Sequence, residues 1–433
     1  MPNLHTIYQS YTKDTARAYQ VFQLARFASV LVAGMLLVKL GYTGIEVSNF
    51  EWFLFSVHAL SFFWLMGLKN ALLSYWPELE DQQAKTLLGS LFISFILISV
   101  LVAAAAYYTY LGTSSWFIVF FALSVPASLA EQYLLLNKQS STLFHYGIWL
   151  HLLYVLLVAI FSFSYQSSDY AIQYIFIALV IWAAIRFVYT VYLFYGNTIW
   201  KIDWQVLKPF LVFALPIVLY LAFGIGMDVL DGFLVEYFFD PELFAKYRYG
   251  AKELPITALL IGALATATIP LAVTKFDEAI SEMRKRLSKL MNWMFPLTIL
   301  LMLTSPFLYR FFYSEAYVLS AHVFNIYLLI IISRILTPQV LLYALKENKV
   351  LMYVSVIELL VNLGLSLWFM SLFGMFGIAY ATLIAYTLEK ILLVGYLYFA
   401  KGIPPTTYIN VPKYAVWSVI LIATYITSTL YLY

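Results

Sequence analysis

The sequence predicts an all-α polytopic membrane protein, and three observations lead to this prediction. Of the 433 residues, 63% are apolar, 19% are aromatic and only 11% are charged, whereas an ordinary soluble domain has about 25% charged residues. The apolar residues form long runs such as residues 87–108, which lack the two-residue alternation of a membrane β-strand. The basic residues cluster in alternate connections between these runs. At about 20 residues per span, we expect about 12 to 14 transmembrane helices, with 13 as the preferred count.

The predicted helices follow from reading each apolar run between two polar connections. Every run is long enough for a helix that crosses the hydrocarbon core of a bilayer, which is about 30 Å thick. The last run follows Lys413 and would place the C-terminus on the outer side of the membrane. The spans are predicted at residues 15–40, 48–69, 86–110, 115–137, 143–165, 170–196, 206–238, 243–272, 288–312, 317–343, 349–371, 375–400 and 413–432.

The charges of the connections predict which side of the membrane each connection faces. With a cytoplasmic N-terminus, the inner connections hold sixteen of the 25 Lys and Arg residues, and the outer connections hold none. Because Lys and Arg are retained on the cytoplasmic side, we expect a cytoplasmic N-terminus and a multi-pass protein of the cytoplasmic (inner) membrane. The sixteen residues are Lys13, Arg17, Lys69, Lys85, Lys138, Lys201, Lys208, Lys275, Arg284, Lys285, Arg286, Lys289, Lys346, Lys349, Lys401 and Lys413.

The connections are short, which argues against an extramembrane catalytic domain and favours a transporter over an enzyme. The lack of Cys excludes structural disulfides and thiolate metal sites. The formal charge of +3 reflects topology and does not indicate nucleic-acid binding. The inner segment 276–290 combines apolar residues at helical spacing with a basic face. It predicts either a helix lying on the membrane surface or a charged connector that obeys the positive-inside rule.

A weak internal repeat suggests that the chain has two related halves. Spans four and five match spans ten and eleven at a constant offset, and an even repeat of six spans gives halves of the same orientation, as in many transporters. We therefore predict an N-terminal lobe at residues 1–200, a C-terminal lobe at 201–402 and an extra span at 403–433. The matched pairs are Gln132 with Gln339, Leu134 with Leu341, Leu135 with Leu342 and Tyr146 with Tyr353.

Three arginines lie inside predicted spans, where an ionised group costs a few kcal/mol and needs a partner, a route to the interface or a watery cavity. Arg26, Arg186 and Arg334 belong to spans one, six and ten, and none has an acidic residue three or four positions away. They predict either cations that line a cavity, or side chains that snorkel or form ion pairs between helices.

Acidic residues near the outer part of span seven form a second group. Asp228 and Asp231 are three residues apart and share a helix face, so they need a cation nearby. Arg248 and Lys252 follow at the outer part of span eight. This pattern predicts either a salt bridge between the two helices or a site that binds an ion.

Span eleven carries Glu358 and Asn362 four residues apart, and span twelve carries Thr382. A carboxylate, an amide and a hydroxyl supply hard oxygen ligands that suit Na⁺, and the carboxylate alone suits a proton. The three residues predict either a coupling-ion site or a polar contact between helices.

Residues 231–254, DGFLVEYFFDPELFAKYRYGAKEL, resemble a segment of the polysaccharide-unit flippases of the O-antigen type. That family places an Asp near the end of helix seven, then a Pro-Glu turn, a Tyr and a Lys. Residues 254–278 and 64–78 resemble its eighth and second helices. The sequence is thus similar to the superfamily of multidrug, oligosaccharidyl-lipid and polysaccharide exporters. The matching positions are Asp231, Pro241, Glu242, Tyr247 and Lys252.

The resemblance implies a V-shaped, MATE-like pair of six-helix lobes that is not an enzyme. It implies translocation of undecaprenyl-diphosphate-linked oligosaccharide, a polysaccharide repeat unit, from the cytoplasmic to the outer leaflet by alternating access. The coupling ion would be Na⁺ or H⁺, with no other cofactor or metal. The implied partners are this lipid-linked substrate, membrane lipids and other polysaccharide-assembly proteins, with the chain acting as a monomer.

Related lipid II flippases imply roles for particular residues. They hold a cation with an Asp on helix seven, a polar pair on helix eleven and a Thr on helix twelve, and they meet the diphosphate with arginines on helices one, two and eight. Span two has no Arg here and offers Glu51, His58 and Lys69. Our candidate diphosphate-binding residues are Arg26, Arg186, Arg248, Lys252 and Arg334, and our candidate ion-coupling residues are Asp228, Asp231, Glu358, Asn362 and Thr382.

Three alternative functions remain open from the sequence. A MATE-type cation-coupled drug antiporter would share the fold but would favour acidic residues in the N-terminal lobe, where span one carries arginines instead. A lipid II flippase differs in its glycan. A glycan polymerase, ligase or glycosyltransferase needs catalytic loops that the short connections do not supply.

Overall fold

The computed structural model describes residues 12–108, 114–251, 264, 268, 271–272 and 275–432. Within these ranges the regular structure is entirely helical, which confirms the predicted all-α class. The helices are α1 Thr15–Lys39, α2 Gly44–Ser61, α3 Gly67–Tyr75, α4 Asp81–Tyr108, α5 Trp116–Ala127, α6 Leu129–Leu136, α7 Ser140–Tyr165, α8 Ala171–Phe194, α9 Trp204–Phe238, α10 Pro241–Gly250, α11 Phe276–Phe312, α12 Val318–Leu328, α13 Ile331–Ile335, α14 Pro338–Ala344, α15 Asn348–Phe373, α16 Met375–Lys401, α17 Pro405–Tyr408 and α18 Val411–Leu432.

In the described part of the chain, ten helices are long and apolar enough to cross a membrane, and one bent pair, Gly44–Ser61 with Trp64–Glu78, would be the eleventh. The chain is therefore a multi-pass membrane protein. The predicted span 206–238 corresponds to α9 and the predicted last span 413–432 corresponds to α18. Most of the predicted span 243–272 lies outside the described residues, so the count of thirteen stays a prediction.

The chain divides into two compact units, unit 1 at Met1–Ile225 and unit 2 at Gly226–Tyr433. The division falls within α9, whereas the predicted lobes divide at residue 200, and the predicted lobe boundaries stay a prediction. In unit 1, helices α1 and α7 approach closely, because a Cβ on Gly147 would lie 2.9 Å from the Phe22 Cα. Small residues at such contacts let helix backbones pack tightly in membranes.

The second predicted span is interrupted before it reaches Lys69. Helix α2 runs into a π-helical turn at Phe62–Met66, and α3 starts at Gly67. A Cβ on Gly67 would lie 2.5 Å from the Val218 Cα, so only glycine permits this approach of α3 to α9. A π-helical turn redirects the side chains that follow it, which sets the direction of Lys69.

Each unit contains a turn with a lysine in a left-handed conformation. Lys138 and Lys346 have φ angles of 52° and 60°, a left-handed conformation that is rare outside glycine. Each follows a broken span and precedes a helix of 26 residues, α7 or α15. The separation of the two lysines is 346 minus 138, or 208 residues, close to the offset of 207 between the matched sequence pairs. The same left-handed turn therefore occurs in each unit, at Lys138 and at Lys346.

The basic segment 276–290 does not form a separate helix on the membrane surface. It is the first part of α11, a continuous helix of 37 residues that is about 55 Å long, well beyond the roughly 30 Å of a hydrocarbon core. Met283 and Leu287 are buried on one face, and Arg284 and Lys285 are exposed. A continuous helix forms because no Pro or Gly interrupts residues 276–290.

Candidate functional site

A carboxylate in unit 1 binds two cations from different helices. Glu131 is only 2% exposed. Its Oε1 lies 2.7 Å from Lys69 Nζ, and its Oε2 lies 2.7 Å from Arg186 Nη2. Each carboxylate oxygen therefore has its own cation, an arrangement of charge-assisted hydrogen bonds that offsets the cost of burial.

Local sequence sets the position of each of these side chains along its helix. Pro126 and Ser128 end α5, and Glu131 then falls in the first turn of α6, where the exposed N–H groups of a helix favour a negative charge. Lys69 lies in the first turn of α3, just after the π-helical turn. Arg186 lies eight residues before Phe194 at the end of α8, or about 12 Å inside that end.

A third cation extends this group. Arg26 on α1 is exposed and lies close enough to interact electrostatically with Lys69. We refer to Arg26, Lys69, Glu131 and Arg186 as the cationic cluster. Three positive charges and one negative charge leave a net charge of +2, which is costly at membrane depth unless water or an anion compensates it. The cluster is thus suited to an anionic ligand.

Unit 2 contains a network of hydrogen bonds around Asp231, which is 1% exposed. Its Oδ2 accepts hydrogen bonds from the Thr382 hydroxyl at 2.5 Å and the Tyr327 hydroxyl at 3.0 Å. The Asn362 amide donates to Thr382 Oγ1 at 2.9 Å, and the hydroxyls of Tyr247 and Tyr327 lie 3.1 Å apart. We refer to these five residues as the Asp231 network.

The Asp231 network lies well inside the helices that carry it. Asp231 is seven residues before Phe238, the end of α9, and Thr382 is seven residues after Met375, the start of α16. Each side chain is therefore about 10 Å inside its helix end. Carboxylate, hydroxyl and amide groups at one point supply the oxygens that Na⁺ prefers, and the carboxylate can instead take a proton.

Glu358 lies one turn of α15 away from Asn362 and is 5% exposed. It interacts electrostatically with Lys390, which is 3% exposed and has its Nζ 2.5 Å from Glu389 Oε2. Lys390 Nζ also approaches Gln339 Oε1 at 3.4 Å. The pair Lys390 and Glu389 is therefore a second group of charges on α16, the helix that also carries Thr382 of the Asp231 network.

The remaining predicted residues have different surroundings. The Arg334 guanidinium lies 4.2 Å from the centre of the Tyr386 ring, a cation–π contact. Arg248 is half-buried in the last turn of α10. Asp228 lies on α9, and its side chain falls outside the described part of the structure. Lys252 also lies outside the described residues.

The structure brings together Asp231, Asn362 and Thr382, and it joins Arg186 and Arg26 to one cluster. Sequence reasoning missed Glu131 and Lys390. No acidic residue lies three or four positions from Arg186, because the partner of Arg186 comes from another helix. An available signal was that Glu131 is the only acidic residue in the predicted span 115–137.

No protein-family model and no curated protein matches the sequence. Solved structures do match. The lipid II flippase MurJ in an inward closed conformation has a TM-score of 0.68 at 17% identity, covering 95% of this chain and 98% of that chain. A MOP superfamily transporter from Pyrococcus furiosus has a TM-score of 0.60 at 14% identity, covering 89% of this chain and 95% of that chain.

An outward-facing multidrug resistance MATE family transporter of the MOP superfamily is similar as well. Its TM-score is 0.61 at 14% identity, and the match covers 91% of this chain and 97% of that chain. The chain therefore has the fold of the MOP superfamily transporters, which confirms the superfamily fold that the resemblance implied. Because every identity is below 20%, the similarity establishes the fold alone.

Proposed function

We propose that this protein is a transporter that moves an undecaprenyl-diphosphate-linked oligosaccharide from the cytoplasmic to the outer leaflet of the inner membrane by alternating access. The net positive charge of the cationic cluster is the observation that carries the proposal. A diphosphate is a multiply charged anion, and cations held at membrane depth have a functional reason when they bind such a group. The fold supports the proposal, since proteins of this fold include a lipid II flippase.

The diphosphate would be held by Arg26, Lys69 and Arg186. Arg offers a planar fork of N–H donors that matches phosphate oxygens, and Lys adds a compact charge. Glu131 would orient Lys69 and Arg186 and reduce their mutual repulsion without cancelling the charge of the cluster. Arg248, Lys252 and Arg334 remain further candidates for contacts along the path of the substrate.

The Asp231 network would couple transport to an ion gradient. A single carboxylate with a hydroxyl and an amide beside it suits one monovalent cation, Na⁺ or H⁺. Neutralising Asp231 would change the hydrogen bonds that join α9 to α16, and this change would favour one conformation over another. Asp228 and Glu358 remain candidate members of the same site.

A lipid II flippase is the second candidate, because one structure of the same fold is that of the lipid II flippase MurJ. It would use the cationic cluster in the same manner, because lipid II and repeat-unit carriers share the diphosphate. A drug antiporter is less compatible with the cluster, because a net charge of +2 repels cationic drugs.

The experiment that tests the proposed function measures lipid-linked oligosaccharide in each membrane leaflet of cells that lack the protein. We expect the glycolipid to accumulate in the cytoplasmic leaflet, and we expect rescue by the wild type but at least about tenfold weaker rescue by Arg26→Ala, because a charged hydrogen bond to phosphate contributes about 1.5 kcal/mol or more. Arg17→Ala is the matched control, since Arg17 lies on the same helix and pairs with Asp14. A normal leaflet distribution in cells without the protein would reject the flippase function.

A further inference from the structure

A row of aromatic rings in unit 1 borders the cationic cluster. Five rings from α1, α7 and α8 follow one another, the first four stacked nearly parallel and the fifth tilted, and we refer to them as the aromatic row. Neighbouring ring centres are 4.8 to 6.5 Å apart and the angles between ring planes are 5° to 33°. In order, the rings are Tyr19, Phe22, Tyr146, Tyr189 and Tyr192.

The aromatic row starts at the charges and ends at an exposed ring. Tyr19 interacts electrostatically with Arg26 and Glu131, and Tyr146 interacts with Arg186. Tyr146 is 9% exposed and Tyr192 is 73% exposed. The row therefore leads from the cationic cluster towards the end of α8 at Phe194, which the positive-inside rule assigns to the cytoplasmic side.

Helix packing explains only part of this arrangement. Phe22 is 1% exposed and packs where Gly147 lets α1 and α7 approach, so its ring is part of the core. Tyr192 is exposed, and the enrichment of Tyr at membrane–water interfaces would explain Tyr192 but not the other rings. Neither explanation accounts for a continuous row of rings, four of them stacked, between the charges and the exposed end.

A buried amide next to the row adds a polar group. Gln132 follows Glu131 and is 2% exposed. Its side chain interacts with the Tyr19 hydroxyl, and its Oε1 has no hydrogen-bond partner among the residues that the structure describes. A buried amide oxygen without a partner is costly, and a ligand hydroxyl placed beside Tyr19 would supply the missing donor.

We propose that the aromatic row and Gln132 form a sugar-binding subsite for the pyranose residue attached directly to the diphosphate. The C–H face of a pyranose is apolar and stacks on aromatic rings, and a sugar hydroxyl donates to Gln132 Oε1. A diphosphate at the cationic cluster would place its first sugar beside Tyr19, Tyr146 and Tyr189. This inference rests on the proposed function, because it requires the diphosphate to bind at the cluster.

The test measures how tightly the full-length protein in nanodiscs binds two probes, undecaprenyl diphosphate and undecaprenyl diphosphate carrying one N-acetylglucosamine. We expect the wild type to bind the sugar-bearing probe about fivefold more tightly, the range expected of one stacked ring. Tyr189→Leu combined with Tyr192→Leu should remove this difference and leave the affinity for the sugar-free probe unchanged. Tyr189→Phe combined with Tyr192→Phe should keep the difference, because the rings remain.

Tyr170→Leu is the matched control, because Tyr170 is 69% exposed and lies outside the aromatic row. Gln132→Leu should also reduce the preference for the sugar-bearing probe. Equal wild-type affinity for the two probes would overturn the sugar subsite and leave the diphosphate site standing. Failure of the wild type to bind either probe would instead reject the proposed function on which the subsite rests. Unchanged affinity for sugar-free diphosphate in the leucine variant shows that the variant is folded.

Discussion

Glu131 is the carboxylate that pairs with two cations in unit 1. It forms ion pairs with Lys69 and Arg186 at 2.7 Å each. Arg186 lies in a helix long enough to cross the membrane, and Lys69 lies in the second half of the bent pair. Without the carboxylate, two buried positive charges would face each other with no compensation. A buried ion pair is weak support for net stability, but breaking one from a single side is strongly unfavourable.

We therefore expect Glu131→Gln to lower the free energy of unfolding by about 3 to 5 kcal/mol. Thermal unfolding of the purified protein in detergent measures this loss. Glu78→Gln is the control, since Glu78 is exposed. The double variant with Lys69→Met should recover part of the loss, because it removes one of the two uncompensated cations. A Glu131→Gln protein as stable as the Glu78→Gln protein would contradict the importance of the ion pairs.

Thr382 is the residue that links the Asp231 network. Its hydroxyl donates to Asp231 Oδ2 and accepts from the Asn362 amide. Thr382→Val keeps the shape and removes both hydrogen bonds, so we expect a loss of about 1 to 3 kcal/mol in unfolding free energy and the loss of any stabilisation by Na⁺. Thr387→Val on the same helix is the control, because the Thr387 hydroxyl donates to the Leu383 carbonyl within its own helix. Equal behaviour of the two valine variants would count against the network.

Among the elements, the two 26-residue helices α7 and α15 show how similar segments acquire different contacts. Both follow a turn with a left-handed lysine, Lys138 or Lys346. In α7, Gly147 allows the close approach of Phe22, whereas a Cβ on Gly364 in α15 would meet nothing within 4 Å. The same residue type is therefore a packing requirement in one repeat and a replaceable position in the other.

Gly147→Ala should destabilise unit 1 by about 1 to 3 kcal/mol, since the added methyl group overpacks the contact between α1 and α7. Gly364→Ala should be neutral or stabilise α15 by about 0.5 to 1 kcal/mol, because Ala has the higher helix propensity. Parallel thermal unfolding curves of the two variants provide the comparison. If Gly147→Ala proves as harmless as Gly364→Ala, the close helix contact is not present in the folded protein.

For the whole molecule, the number of spans determines which side of the membrane the residues after α18 face. A cytoplasmic N-terminus with thirteen spans places the residues after α18 outside, and twelve spans would place them inside. The native chain has no Cys, so single cysteines can be introduced without background labelling. This property makes the topology directly measurable.

We expect a cysteine appended after Tyr433 to react with a membrane-impermeant maleimide in right-side-out vesicles. Ser168→Cys, in the predicted outer connection before α8, should react to the same extent. Asn137→Cys, at the predicted inner end of the span 115–137, should react only after permeabilisation. If the appended cysteine is protected while Ser168→Cys reacts, the chain crosses the membrane an even number of times, and the prediction of thirteen spans is wrong.

The amino-acid sequence was enough to predict the helical class, the positions of most spans and the superfamily fold. Apolar runs and basic connections are local properties of the chain, and the bilayer imposes the helix on them. The run at 375–400 and the helix Met375–Lys401 agree, because an apolar run of that length matches the thickness of a bilayer. The thirteenth crossing and the lobe boundaries remain predictions.

Only the tertiary structure decided which charges meet. Arg186 has no acidic residue nearby in its own helix, and its partner Glu131 is 55 residues away along the chain. The resemblance to known flippases grouped Asp231 with Thr382 as candidate ion-coupling residues, and the structure adds their hydrogen bond across 151 residues. Sequence spacing reports neighbours along one helix, whereas pairing between helices depends on how the helices pack. For that reason the span pattern was readable from the sequence and the cationic cluster was not.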